Sequence, residues 1–315
     1  LADQKVVDCT LKLPRWMPRR FSDRLTVTWR LSFEKRLRKY AESSRYSCFH
    51  YLYPENTLFE GWRWKGQKKL VLTCHQSAQD LTKLVTDRFM EGMRSADVVV
   101  TLAQSEIERL KELAPQARVV FIPHGVDTTY FRPAPLPPER PLVLTVGNWL
   151  RDFDCWAQVV RRTLEIDNAV EFLVVALPET LEKARRGLGR ESSRVRYESG
   201  LSDDELRMAY ERTTLVFLPL KSAVANNAVL ESMAMGLPVV ATDLDATRSY
   251  LGAESAVFIN NRDPEEGAAA ILNLLGSPAR RQRMSVAARA RAESVFAWEV
   301  IARQYRQMYE TLSSG

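Results

Sequence analysis

No run of apolar residues in this chain approaches the roughly 18 that a membrane-crossing helix needs. The opening Leu1-Ala2-Asp3-Gln4-Lys5 lacks the basic-then-apolar pattern of a secretory leader. Cysteine is scarce: the four present (Cys9, Cys48, Cys74, Cys155) form no C-x-x-C pair and have no nearby histidine that would suggest zinc. They are expected to be reduced and structural, in a cytosolic enzyme. There is no G-x-G-x-x-G, which argues against a nicotinamide dehydrogenase, and no G-x-x-x-x-G-K-[ST], which argues against a P-loop ATPase.

What is present describes a soluble globular protein. Its 315 residues suffice for two domains, and 45% are hydrophobic against 27% charged. The net charge of +6 is unevenly placed, because residues 1–45 hold 12 Lys/Arg against 5 Asp/Glu. A surplus confined to one end points to a local anionic partner, such as a phosphorylated acceptor or an anionic membrane face. Within it Leu11, Leu13, Trp16, Met17 and Phe21 interleave with Lys12, Arg15, Arg19 and Arg20. That mixture suits an interfacial segment over 11–24, and equally a solvated loop whose apolar residues pack on the domain. Nucleic-acid binding would need basic and aromatic residues spread along a face, and is not expected.

From about residue 70, short apolar runs alternate with helical patterns: 70–74, 97–101, 119–122, 142–146, 170–176, 215–218, 238–242 and 256–259. They are rich in Val, Ile and Leu without alternation, as parallel strands covered on both faces should be. Ser105-x-x-Glu108 and Ser202-x-x-Glu205 read as capping boxes, and Asp263-Pro264 as an N-cap with Pro at the first helical position. This alternation predicts an α/β, doubly wound fold. Pro133, Pro135, Pro137, Pro138 and Pro141 cannot continue a helix or a central strand, so a linker is expected there.

The most informative stretch runs from Asn226 to Thr242. Asn226 or Asn227 is a good N-cap, Ala228 to Met235 a helix, Gly236 its left-handed stop, and a strand follows at once. Such a helix points free N–H groups and partial positive charge into a crevice, where a diphosphate would bind. Glu231 shares a face with Asn227, and a carboxylate there can accept two hydrogen bonds from a ribose diol. A second reading is that Glu231 only complements the helix dipole.

The phrase Glu-Ser-Met-Ala-Met-Gly-Leu-Pro-Val-Val-Ala-Thr strongly resembles the donor-binding helix of retaining GT-B glycosyltransferases of family 4 (glycosyl transferases group 1). Ile122-Pro123-His124-Gly125-Val126-Asp127 with Phe131-Arg132-Pro133 is similar to that family's passage into its interdomain linker. Leu144-Thr145-Val146-Gly147-Asn148-Trp149-Leu150-Arg151 resembles the turn that opens its donor domain, and Phe296-Ala297-Trp298 the start of its terminal helix. Together these cover about residues 45–313.

The resemblance implies two Rossmann-like domains with parallel sheets facing across a cleft. The N-terminal, acceptor-side domain would span 1–135, the donor domain 136–295, and a helix over 296–315 would cross back. It implies sugar transfer from a UDP- or GDP-linked donor, with retention and without metal or other cofactor. Glu231 would hold the ribose, and the backbone of Asn227, Ala228 and Val229 the diphosphate. Arg151 would neutralise the leaving phosphate, beside Gly147 and Asn148. Arg196, Gly200 and Leu201 would face the nucleobase. His75 would lie near the reacting carbon, with Tyr53, Glu55, Asn56 and His124 on the acceptor side. The acceptor would be a glycan, a lipid-linked molecule or a small molecule, and the enzyme cytoplasmic, with peripheral membrane attachment as one option.

All three histidines, His50, His75 and His124, sit in or after an apolar strand, where loops face a ligand crevice. For His50 a structural role is the stronger reading. There are departures from the family's pattern. Ala223 stands where a first glutamate is usual, Asp152-Phe153-Asp154 replaces a basic residue, and no strand with a glycine-rich turn is read before residue 45. Either Asn226 and Lys221 would then supply contacts to the donor sugar, or the donor differs from the commonest ones. Asp152-x-Asp154 and Asp243-x-Asp245 are read as surface or capping residues, not metal ligands. The first and last departures favour a rival reading, a non-catalytic nucleotide-sugar binder or partner subunit.

Overall fold

The computed structural model describes residues 34, 37–38, 40–84, 87–134, 140–189 and 192–313. The basic segment 11–24 and residues 135–139 of the proline cluster lie outside the described residues. The chain forms two compact units, residues 1–122 with 307–315, and residues 123–306.

In the first unit the order is β1 (Cys48–Tyr51), α1 (Pro54–Thr57), β2 (Lys69–Cys74), α2 (Ala78–Leu84), α3 (Asp87–Arg94), β3 (Val98–Thr101), α4 (Ile107–Leu113) and β4 (Arg118–Phe121). Its sheet runs β1-β2-β3-β4, all parallel, with Val71 opposite Val98 and Val98 opposite Arg118. The central strands carry the buried residues Leu70, Val71, Leu72, Val99 and Val100, covered on both faces as their unbroken apolar runs require.

The second unit contains β5 (Leu142–Val146), α5 (Phe153–Ile166), β6 (Glu171–Val175), α6 (Pro178–Leu188), β7 (Val195–Glu198), α7 (Asp203–Glu211), β8 (Leu215–Leu218), α8 (Asn227–Ala234), β9 (Val239–Thr242), α9 (Asp245–Leu251), β10 (Ala256–Ile259), α10 (Pro264–Leu275) and α11 (Pro278–Arg291). The last helix, α12 (Trp298–Ser313), begins in this unit, and its residues from Gln307 onward belong to the first. The parallel sheet has the order β10-β9-β8-β5-β6-β7. Alternate residues feed two cores: Leu144, Leu173 and Val216 pack with Tyr210 and Met233 on one face, Val143, Phe172 and Phe217 with Trp156 on the other. Each such side chain, taken out of water, stabilises by about 1.5–3 kcal/mol before entropy is counted. From β5 the chain winds outward through β6 and β7, then returns to place β8 on the other side. The C-terminal ends of β5 and β8 are therefore a topological switch point, where adjacent loops diverge and leave a crevice.

One local expectation is corrected. Ser105-x-x-Glu108 forms no capping box: Gln104–Glu106 is a 3-10 turn, Glu106 precedes α4 without a side-chain cap, and the Glu106 carboxylate instead accepts the Ala78 N–H at 2.8 Å. The second unit begins at Pro123, ahead of the proline cluster. Val126 donates its N–H to Phe296 O at 2.8 Å, and Arg289 donates to Phe131 O and Thr128 O at 2.8 and 2.9 Å. These bonds fasten the passage after β4 to the second unit. By contrast Ser202 forms a complete capping box with Glu205, and Asp263 caps α10.

Candidate functional site

The turn after β5 is built around Gly147, whose φ of +102° is a region that side chains disfavour. A Cβ there would lie 2.6 Å from Arg151 Nη2, so a side chain would displace the guanidinium as well as strain the backbone. Among the described residues Leu150, at φ +58°, is the one non-glycine with positive φ. It lets the chain double back so that Arg151 folds across its own turn. Arg151 Nε donates to Val146 O at 2.7 Å, Nη1 to Trp149 O at 3.1 Å and Nη2 to Asn226 Oδ1 at 3.2 Å. Burial lowers the Arg151 pKa to about 10, opposed by Tyr210 and Glu231, and leaves a cation at neutral pH.

Across the switch point, Asn226 caps α8, and its Oδ1 also accepts the Ala228 N–H at 3.1 Å. That single oxygen therefore sits where a helix N-terminal amide and a buried guanidinium converge. An anionic oxygen in its place would meet the same two donors. Asn227 is exposed at the first helical position, while Ala228 and Val229 are buried beneath it. Further along α8, Glu231 Oε2 accepts the hydroxyl of Tyr210 at 2.8 Å. Burial raises the Glu231 pKa above the ordinary carboxylate value, against the pull of Tyr210 and Arg151.

The remaining expected residues divide. Asn148 Oδ1 accepts the Leu177 N–H at 2.5 Å and ties the loops after β5 and β6 together, beneath an exposed Trp149. Gly200 (φ +72°, open surroundings) and Leu201 follow β7 at the same end of the sheet. Arg196 is not brought to them. It lies within β7, and Nη2 donates to Glu171 Oε2 at 3.3 Å; Glu171 opens β6, so the guanidinium reaches toward the strand N-termini, away from the crevice. Beside Asn226, Ala223, Val224, Val229, Ala246 and Tyr250 line a small, mainly apolar recess, at the position where the family's pattern has a carboxylate. Asp152 caps α5 and accepts from Asn261 Nδ2 at 3.1 Å, and Asp243 pairs with Arg248 through both oxygens. No group of three His, Cys, Asp or Glu among the described residues is placed to hold a metal ion.

In the first unit Glu55 Oε1 accepts the His75 and Gln76 N–H groups at 2.5 and 3.2 Å, and burial raises its pKa. Tyr53 stacks on the His75 ring with centroids 3.9 Å apart, and His75 Nε2 lies 2.9 Å from Leu52 O. Asn56 follows on the same short helix, α1. His50 is structural: its ring nitrogens meet Tyr309 Oη and Thr73 Oγ1, and burial lowers its pKa to about 4. His124 belongs to the second unit, where its N–H donates to Tyr250 Oη at 3.1 Å and its ring stands edge-on to Trp298. Sequence reasoning missed Tyr210, a fully buried side chain whose polar end no local pattern announces.

The family model described as Glycosyltransferase Family 4 matches residues 7–130, and that described as Glycosyl transferases group 1 matches residues 140–277. The chain belongs to the family 4, group 1 glycosyltransferases. One relative of this chain is the D-inositol 3-phosphate glycosyltransferase of Thermomonospora curvata, 28% identical over 68% of this chain and 57% of that protein. Another is the phosphatidyl-myo-inositol mannosyltransferase of Mycobacterium leprae, 27% identical over 89% and 77%. The chain spans 47–58% of the length of the first four curated relatives. Among solved structures, the sucrose-phosphate synthase from Thermosynechococcus elongatus superposes with a TM-score of 0.76 at 22% identity, over 95% of this chain and 81% of that one. An α,α-trehalose-phosphate synthase from Burkholderia vietnamiensis gives 0.73 at 15%, over 91% and 78%. The fold is GT-B. No helix among the described residues is long and apolar enough to cross a membrane.

Proposed function

We propose that this chain transfers a sugar from a nucleoside diphosphate donor to an acceptor, with retention of configuration and without a metal ion. The observation that carries this reading is the convergence of Arg151 Nη2 and the Ala228 N–H on one point, Asn226 Oδ1, at the switch-point crevice. A diphosphate oxygen arriving there takes both donors, and Glu231 holds the ribose diol. As the bond from the anomeric carbon to the diphosphate oxygen breaks, the developing negative charge falls to Arg151 and the α8 N-terminus, preorganised for it. The acceptor oxygen bonds to that carbon on the face the diphosphate leaves, and its proton passes to the departing phosphate. Tyr53, Glu55, Asn56 and His75 are proposed to serve the acceptor.

The relatives' printed names include D-inositol 3-phosphate and phosphatidyl-myo-inositol. With the basic surplus of residues 1–45, they favour a phosphorylated or lipid-linked acceptor. Flotation with anionic vesicles tests the lipid branch, and the absence of salt-sensitive recovery removes it. Thermal shift with UDP-, GDP- and ADP-sugars identifies the donor, since a bound ligand raises apparent stability. Glu231→Ala is expected to weaken the matching nucleoside diphosphate by about 1–3 kcal/mol, the loss of charge-assisted hydrogen bonds. Unchanged affinity in calorimetry would refute the assignment. The apolar recess at Ala223 favours the second reading, a binder without catalysis. Donor hydrolysis in the absence of acceptor separates the two, because a mere binder leaves the donor intact.

A further inference from the structure

Glu231 is on α8, but what fixes its carboxylate is on α7. Tyr210 lies in that helix, is fully buried, and spends its hydroxyl on Glu231 Oε2 at 2.8 Å. A buried phenol is costly unless its O–H finds a partner, and here the partner is a carboxylate whose charged form burial opposes. The ring is seated in turn by Phe131, edge-on with centroids 6.1 Å apart and planes at 90°. Arg289 holds the Phe131 carbonyl at 2.8 Å and the Ala234 carbonyl, at the far end of α8, at 2.6 Å. The groups that bear on the Glu231 charge are Tyr210 and Arg151, which favour it, and Asp203, which opposes it. Hence one oxygen of Glu231 is occupied before any ligand arrives, and the rotation of the carboxylate is set.

We propose that Tyr210 is a positioning residue for the donor site: it pins Oε2 so that Glu231 presents its free oxygen to the ribose diol, and makes the site discriminate ribose from sugars lacking that diol. The inference rests on the reading of Glu231 as the ribose-binding group. A carboxylate free to rotate must be ordered when the ligand binds, and pre-ordering removes that entropic cost only for ligands that use it. A tyrosine that merely fills the core would affect all nucleotides alike.

The test compares whichever of UDP, GDP and ADP binds most tightly with its 2′,3′-dideoxy counterpart, by calorimetry on the full chain. The unaltered protein is expected to prefer the ribonucleotide by about tenfold or more. Tyr210→Phe keeps the ring against Phe131 and removes one oxygen. It should reduce that preference about fivefold, mostly by weakening the ribonucleotide. Glu231→Gln should also reduce it. If Glu231→Gln leaves the preference intact, the ribose reading itself fails. If Glu231→Gln reduces it and Tyr210→Phe does not, the role of Tyr210 is overturned. Tyr210→Phe combined with Glu231→Gln guards against misfolding, since no buried carboxylate is then left unpaired. The double variant should match Glu231→Gln alone, and any further loss of preference would show that Tyr210 acts by another route.

Discussion

Asn226→Asp puts a carboxylate at the point where two anion donors already meet. In the unliganded protein this should stabilise. The 3.2 Å contact from Arg151 Nη2 and the 3.1 Å contact from the Ala228 N–H become charge-assisted, and the added charge faces the positive end of α8. Asp caps a helix about as well as Asn. Part of the gain is offset by the nearby Glu231, whose charge burial already disfavours. A net gain of about 1–2 kcal/mol is reasonable, which for a unit of this size raises Tm by roughly 2–4 °C per kcal/mol. For a diphosphate the same change is adverse. The site is occupied by a like charge, and two unit charges about 4 Å apart repel by about 4 kcal/mol at an effective dielectric of 20. Binding of UDP, GDP or ADP should weaken at least about a hundredfold. Stability and affinity thus move in opposite directions, which simple damage to the turn cannot produce. Calorimetric titration and a thermal scan decide it. Affinity within threefold of the unaltered chain would refute the convergence argument, and a joint fall in both would show that Asn226 is only a cap.

A matched pair of glycines tests the turn. Gly147→Ala and Gly200→Ala both impose positive φ on a side chain, at about 1–2 kcal/mol, but only the first drives a Cβ to 2.6 Å from Arg151 Nη2. Gly147→Ala should therefore cost about 1–2 kcal/mol more in thermal unfolding, and pairing it with Arg151→Ala should erase that excess; equal losses would count against the contact. His50 predicts a pH dependence of the first unit. Its folded pKa of about 4 lies below the ordinary imidazole value of 6.5, so its contribution is intact above pH 6.5 and declines as pH falls toward 4. The full loss is at most about 3 kcal/mol, and His50→Gln should flatten that limb of the stability curve; an unaltered limb contradicts the assignment. Transfer activity should survive EDTA, since Asp152 and Asp243 are spent on a helix cap and an arginine. Loss of activity with rescue by Mn²⁺ would return them to consideration as ligands.

Most of the fold was legible because central parallel strands must be apolar on both faces, and runs such as 142–146 and 215–218 have no other use for so many aliphatic residues. The strands without a clear aliphatic run of their own are β1 and β7, with the sequences CFHY and VRYE, and both are sheet edges. An edge strand is covered less completely, so polar residues are tolerated and the signal fades. Ser105-x-x-Glu108 misled for a different reason. The capping box is a local pattern, but a long-range use for Glu106, the buried bond to Ala78, prevailed over it.

The site divides along the same line between local and distant causes. Asn226, the start of α8 and the Gly236 stop follow from one another over a dozen residues, and the sequence states them directly. The glycine before Arg151 is legible as a turn, but that the guanidinium folds back against it depends on how far Leu150 rotates the chain. Arg196 is placed by a distant partner. Within β7 its neighbour Val195 is buried, which fixes Arg196 to the outer face, yet whether it leans up the strand or down is decided by Glu171 on β6. Tyr210 is the opposite case. Its place in an amphipathic helix reads as core, and core it is, but one oxygen of that core residue is the partner of Glu231, 21 positions away. Composition could reveal a buried tyrosine; only the packing of α7 against α8 reveals what its hydroxyl is for.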